Sequence, residues 1–141
     1  MRTIIIALFT TVIGLFACTK ETVLSSADTQ LVGHWKLIKI TYGFSQVSTT
    51  PEKAGYSETI EFNTDGTYRR LTENKDGQKE EKGRFYTDTN PSKTAEAMAI
   101  FFPDLNVAQP YSFRDGHLFL YERTPVGATI ADGSTYEYSK Q

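Results

Sequence analysis

From Leu31 to the C-terminus, apolar residues recur at every second position in short runs, and turn residues separate the runs. A period of two is that of a strand with one face buried. Leu31, Gly33, Trp35 and Leu37 alternate with Val32, His34 and Lys36, and Ile38 and Ile40 then change the register near the strand's end, the pattern of a bulge. Thr41 to Tyr56 collects Gly, Ser, Thr and Pro and reads as a long loop. Ile60 and Phe62 share a face, Asp65-Gly66 turns the chain, Thr67 to Thr72 returns, and Asp76-Gly77 turns it again into Lys79 to Thr87, with Gly83 and Phe85 on one face. The strongest hairpin signal pairs Tyr111 and Phe113 with Leu118 and Leu120 across Asp115-Gly116. Asp132-Gly133 precedes a last strand, Ser134 to Lys140, that carries Tyr136 and Tyr138. Thr87 to Asn106 breaks the rhythm. Asn90-Pro91 suits a helix cap and Thr94 to Met98 suits a helix, whereas Ala99 to Phe102 suits a strand equally well. The whole predicts an all-β sandwich or barrel of about eight strands, with room for one short helix.

The N-terminus follows another rule. After Met1-Arg2, residues 4–16 are mostly apolar, a run of 13. A helix needs about 20 residues to cross a bilayer core, so this run has the length of a signal-peptide core. It ends in Leu15-Phe16-Ala17-Cys18, and Cys18 is the one cysteine of the chain. The motif resembles the lipobox of bacterial lipoproteins, with Phe16 bulkier than the commonest residue at its position. The resemblance implies removal of residues 1–17, a diacylglycerol on the Cys18 thiol and acylation of the new amine. Two or three acyl chains, at about 0.8 kcal/mol per buried methylene, make a stable anchor. Residues 18–30, polar and rich in Ser and Thr, then read as a lipidated cysteine and flexible tether, and 31–141 as a single domain. The implied location is the bacterial cell envelope, most readily the outer membrane, on its periplasmic or its surface side.

A second resemblance covers Leu31 to Lys140. The strand Leu31-Val32-Gly33-His34-Trp35-Lys36-Leu37 is similar to the first strand of lipocalin-like domains, marked by Gly-x-Trp. Ile60 to Tyr68, with its Asp-Gly-Thr-aromatic turn, and the hairpin from Tyr111 to Leu120 resemble later hairpins of small bacterial lipocalin-like lipoproteins. The chain is shorter than a typical lipocalin and lacks a clear C-terminal helix. The resemblance implies an antiparallel up-and-down β-barrel, with Trp35 packed across its closed end.

Composition narrows the chemistry. Removing Arg2 with the signal leaves 14 of the 15 basic residues against 17 acidic, a charge of −3. That balance gives no footprint for nucleic acid. His34 and His117 lie far apart, no tight set of metal ligands accompanies them, and no Gly-x-Ser-x-Gly elbow or Gly-rich phosphate cradle occurs. Glu58 and Glu61 have opposite strand parity and cannot share a face. The sequence therefore predicts no enzyme, no cofactor and no metal. The charged run Glu73 to Lys82 reads as a solvated hairpin tip that discourages edge pairing. One constellation remains: Trp35, Phe62, Tyr68, Phe85, Tyr111, Phe113, Leu118, Leu120, Tyr136 and Tyr138, all on strands. In a closed barrel these residues either fill the interior or wall a pocket for a small apolar or amphipathic ligand, with a Tyr hydroxyl or Arg69, Arg70 or Arg114 fixing a polar end. Strand parity does not choose between the two. The first alternative makes the protein an interaction module for an envelope partner, working through loops such as 41–56 or 126–132.

Overall fold

The computed structural model describes residues 26–89 and 98–141. The signal segment, Cys18, the first part of the tether and the predicted helix start at 90–97 lie outside the described residues. A short helix, α1 (Ser26–Leu31), leads into β1 (Gly33–Thr41). Then come β2 (Ser48–Thr49), α2 (Pro51–Ala54), β3 (Tyr56–Phe62), β4 (Thr67–Asn74), β5 (Gly77–Arg84), β6 (Tyr86–Thr89), β7 (Met98–Phe102), β8 (Val107–Arg114), β9 (His117–Tyr121), β10 (Thr124–Pro125) and β11 (Thr135–Lys140). Over 98–102, where helix and strand were equally compatible with the pattern, the chain is strand. The loop read over 41–56 is partly ordered: β2 folds back on β1, and Thr50 caps the single turn of α2.

All strand pairs are antiparallel, in the order β5-β4-β3-β1-β11-β9-β8-β7-β6. Apart from the short β2 and β10, which pair with β1 and β8 off this path, neighbours in it are neighbours in sequence, except that the last strand returns beside the first. The sheet must curl. Nine flat strands would hold β5 and β6 roughly 38 Å apart at about 4.8 Å per step, yet Phe85 alone separates them in sequence. A half-barrel results, with the interior on the concave side. Among the described residues no ladder joins β5 to β6. The free edge of β5 carries the charged hairpin, as predicted, with one exception described below.

Local chemistry explains the register. Asp115 and Gly116 both take positive φ (51° and 78°), the requirement of a tight two-residue hairpin. In β1 the pairing with β11 shifts between Leu37 and Lys39. This bulge moves the inward set from Trp35 and Leu37 to Ile40, which is why the odd-even pattern changes there. Trp35 is buried, its Nε1 donates to the Leu31 carbonyl at 2.6 Å, and Lys140 lies over its ring. Leu31 is fully buried beside it, so α1 and the Trp close one end of the barrel.

Candidate functional site

The ten residues singled out by parity do not share one environment. Trp35, Phe62, Tyr68, Phe85, Tyr111, Leu118, Leu120 and Tyr138 belong to one buried cluster, against which Phe113 and Tyr136 pack. Edge-on ring pairs knit it together, Phe62 with Phe85 at 4.8 Å and Tyr68 with Phe102 at 4.7 Å between centroids. Such contacts are the signature of a filled core. Of the ten, Tyr136 and Tyr138 also line a cavity of about 420 Å³.

The cavity lies in the half of the barrel away from Trp35. Ala54 and Gly55, at the end of α2, meet it from above, and Tyr56, Glu58, Arg70, Thr72, Gln109, Glu122 and Arg123 contribute to its walls. Parity explains much of this. Tyr56 and Glu58 continue the inward face of Ile60 and Phe62 on β3, and Arg70 and Thr72 continue that of Tyr68 on β4. Glu61, one parity step away, faces outward and pairs with His34 at 3.6 Å. The strand faces are thus apolar near the closed end and polar toward the cavity.

Buried polar groups require partners, and here they form a chain across the interior. Glu58 accepts hydrogen bonds from Tyr138 (2.5 Å) and Thr72 (3.1 Å) and lies 3.7 Å from Arg70 Nε. Arg70 Nη2 donates to Gln109 Oε1 at 2.9 Å, and Arg123 Nε donates to the same oxygen at 3.1 Å. Gln109 is held in turn by its donation to the Tyr121 carbonyl. Arg123 reaches on to Glu81 at 2.8 Å, and Tyr68 also donates to Glu81. Glu81 is the exception in the solvated hairpin: it turns inward while Glu80 pairs with Arg69 outside. These bonds tie β4 and β5 to β8 and the end of β9 across the part of the sheet where no backbone ladder runs.

The network's charges shift its members. Burial pushes the Glu81 carboxyl up, but the hydrogen bond and charge of Arg123, with Arg70 and Tyr68, outweigh it and hold the group below the ordinary value. Burial and the like charge of Arg70 lower Arg123. Two guanidinium groups converging on one amide oxygen still leave donors over: Arg70 Nε and Arg123 Nη2 are buried without hydrogen-bond partners among the described residues. The flat face of Arg123 rests on Phe102, 4.3 Å from its centroid.

Four tyrosines around this interior have raised phenol pKa values. Burial is the first cause in each, and nearby carboxylates add to it: Glu58 for Tyr56 and Tyr138, Glu81 for Tyr68, Glu122 for Tyr136. Tyr68 is pushed up to about 12.

Of the arginines named as head-group candidates, Arg70 lines the cavity, Arg69 is tied to Glu80 outside, and Arg114 stacks on Phe119 at 4.2 Å. His117 pairs with Glu137 on the outer face. Sequence reading missed Glu58, Gln109, Glu122 and Arg123. For Glu58 a signal existed, since a charge at an inward parity position is unusual. For Gln109, Glu122 and Arg123 none did, because they lie where the alternation is interrupted or ends.

A solved structure described as "The Siderocalin Ex-FABP functions through dual ligand specificities" superposes with a TM-score of 0.50 at 11% sequence identity, over 79% of this chain and 74% of that one. The fold is lipocalin-like. No protein-family model and no curated protein sequence matches the chain. The half-barrel, its Trp-closed end and its strand order therefore rest on geometry, and the resemblance read from Gly-x-Trp agrees with that geometry at the level of fold.

Proposed function

We propose that the protein is a binder of small amphipathic molecules, carried on the cell envelope by a lipid on Cys18. The observation that carries the binding reading is the cavity beside the filled aromatic core, with two buried guanidinium N–H groups that find no hydrogen-bond partner among the described residues. Unpaired buried donors cost free energy, and a ligand that supplies acceptors recovers it. The polar lining favours an amphipathic ligand over a purely apolar one. Native mass spectrometry on the chain from Thr19 is expected to show a mass excess that disappears on denaturation. A bare mass, together with no binding of decanoate as a simple amphiphile, would sink this reading.

The anchor rests on the lipobox alone. Cys18→Ser is expected to leave the protein uncut and without lipid, read by the mass and membrane partition of the exported chain. Normal processing and partition of that variant would refute the anchor.

A second reading is favoured by a separate observation. Tyr42, Phe44 and Val47, and across from them Val126 and Ile130, are exposed large apolar residues, with Phe44 89% exposed. Their two loops touch, since Gly43 packs so closely on the Asp132 and Gly133 carbonyls that a Cβ there would lie 2.2 Å from the first. Exposed apolar clusters mark contact surfaces, and the envelope-partner function would use this one.

A further inference from the structure

The cavity wall carries two arginines and two carboxylates, Arg70 and Arg123 with Glu58 and Glu122. Arg70 and Arg123 converge on Gln109 Oε1, and Arg70 Nε, 3.7 Å from Glu58 Oε1, and Arg123 Nη2 are buried without a hydrogen-bond partner among the described residues. Arg123 is held by its stacking on Phe102 and its bond to Glu81, so its remaining N–H edge is preorganised rather than searching for a partner. This pair demands oxygen acceptors, and an acidic group satisfies a guanidinium pair best.

Glu122 presents the opposite chemistry. Glu122 lines the same cavity and is half-buried. It accepts hydrogen bonds from the Tyr136 hydroxyl at 3.2 Å and the Ser134 N–H at 3.3 Å, both on Oε2. Among the described residues no Lys, Arg or His forms an ion pair with it, whereas Glu58 and Glu81 each have an arginine. Tyr56 and Tyr136 stand with it, and Tyr56 feels the negative charge of both Glu58 and Glu122. An uncompensated carboxylate among phenol rings is the chemistry that receives a cationic nitrogen, by charge and by the ring faces. An apolar occupant would offer the Glu122 carboxylate no counter-charge and the arginine N–H groups no acceptor.

We infer that the ligand of this cavity carries a compact zwitterionic group, with its acidic oxygens at Arg70 and Arg123 and its cationic nitrogen at Glu122, Tyr56 and Tyr136. The inference rests on the small-molecule binding reading and deepens it. A lipid headgroup and a free zwitterion share this chemistry.

The test is isothermal titration calorimetry on the full processed chain in a neutral maltoside detergent. Phosphocholine joins the two charges, and inorganic phosphate and tetramethylammonium are its halves. Phosphocholine is expected to bind at least about tenfold more tightly than either half, the worth of one partly buried contact between its cationic nitrogen and the Glu122 carboxylate. In Glu122→Gln, whose amide oxygen can still accept from Tyr136 and Ser134, the ratio of phosphocholine to phosphate affinity collapses toward one. Phosphate binding itself reports that this variant is folded, and Glu122→Asp restores the ratio. Octylphosphocholine binding more tightly than phosphocholine identifies a lipid headgroup as the source, and equal affinity identifies a tail-less zwitterion. Phosphocholine binding no better than its halves, or an unchanged ratio in Glu122→Gln, overturns the inference. Decanoate binding alongside such a failure leaves the carrier reading standing, and failure of every probe together with a bare native mass removes both.

Discussion

Glu58→Ala is expected to destabilise the protein by about 3–5 kcal/mol, the usual cost of breaking a buried ion pair from one side. The Glu58 and Arg70 side chains are only 13% and 12% exposed, and Glu58 is also the acceptor for the buried Tyr138 hydroxyl. Removing the carboxylate leaves a buried guanidinium and a buried phenol to be desolvated without it. Urea denaturation followed by Trp35 fluorescence measures this as a lower midpoint. The triple variant Glu58→Leu, Arg70→Met, Tyr138→Phe is expected to recover most of that loss, because apolar replacement of a buried pair is often neutral or better. It is also expected to lose the native-mass adduct, since the cavity then lacks one of its two arginines. A stable triple variant that no longer retains ligand shows that the polar chain exists for binding and not for the fold. A triple variant that retains the adduct as well as the wild type would contradict the site.

The second large effect is at alkaline pH. Tyr56, Tyr68, Tyr136 and Tyr138 have phenol pKa values raised by burial and by neighbouring carboxylates. A phenol is neutral when protonated, so a folded pKa above the unfolded one means that the fold favours the protonated form. The stability this confers is fully present below the unfolded pKa near 10 and is lost as pH rises through the folded value, about 12 for Tyr68. Four of the eight tyrosines in the sequence should therefore ionise above the ordinary phenol range near 10. Their ionisation should coincide with loss of Trp35 tertiary signal in a single transition. All eight titrating near pH 10 with the fold intact would show that these rings are not held in the interior.

Much of the architecture was legible because strands write themselves locally. The alternation of Ile60 with Phe62, Tyr111 with Phe113 and Leu118 with Leu120 named inward faces that the structure keeps. Asp115-Gly116 announced a turn through its tolerance of positive φ. Even the bulge after Leu37 was visible, as a change of parity around Ile38 and Ile40. The site was much less legible. Glu58 was set aside as half of a poor catalytic pair with Glu61. Parity separated the two correctly, and the same parity placed Glu58 inside, where its meaning depends on Arg70 and Tyr138. The charged run at 73–82 looked uniform, yet Glu81 turns inward to Arg123 while Glu80 stays outside with Arg69.

By itself, then, the sequence determined most of the strands, the tight turns and the inward side of the clearly alternating strands, because these follow from the chain's own period and backbone preferences. Only the tertiary structure decided what the interior is for. Arg70 meets Gln109 across 39 residues, Arg123 meets Glu81 across 42, and Tyr138 meets Glu58 across 80. The curl of the sheet sets those meetings, and no local pattern records it. Whether aromatic faces fill a barrel or wall a pocket is likewise a small difference between the enclosed volume and the volume of the side chains within it. Here that difference closes over Trp35 and Phe62 and opens beside Tyr136, Glu122 and Arg70.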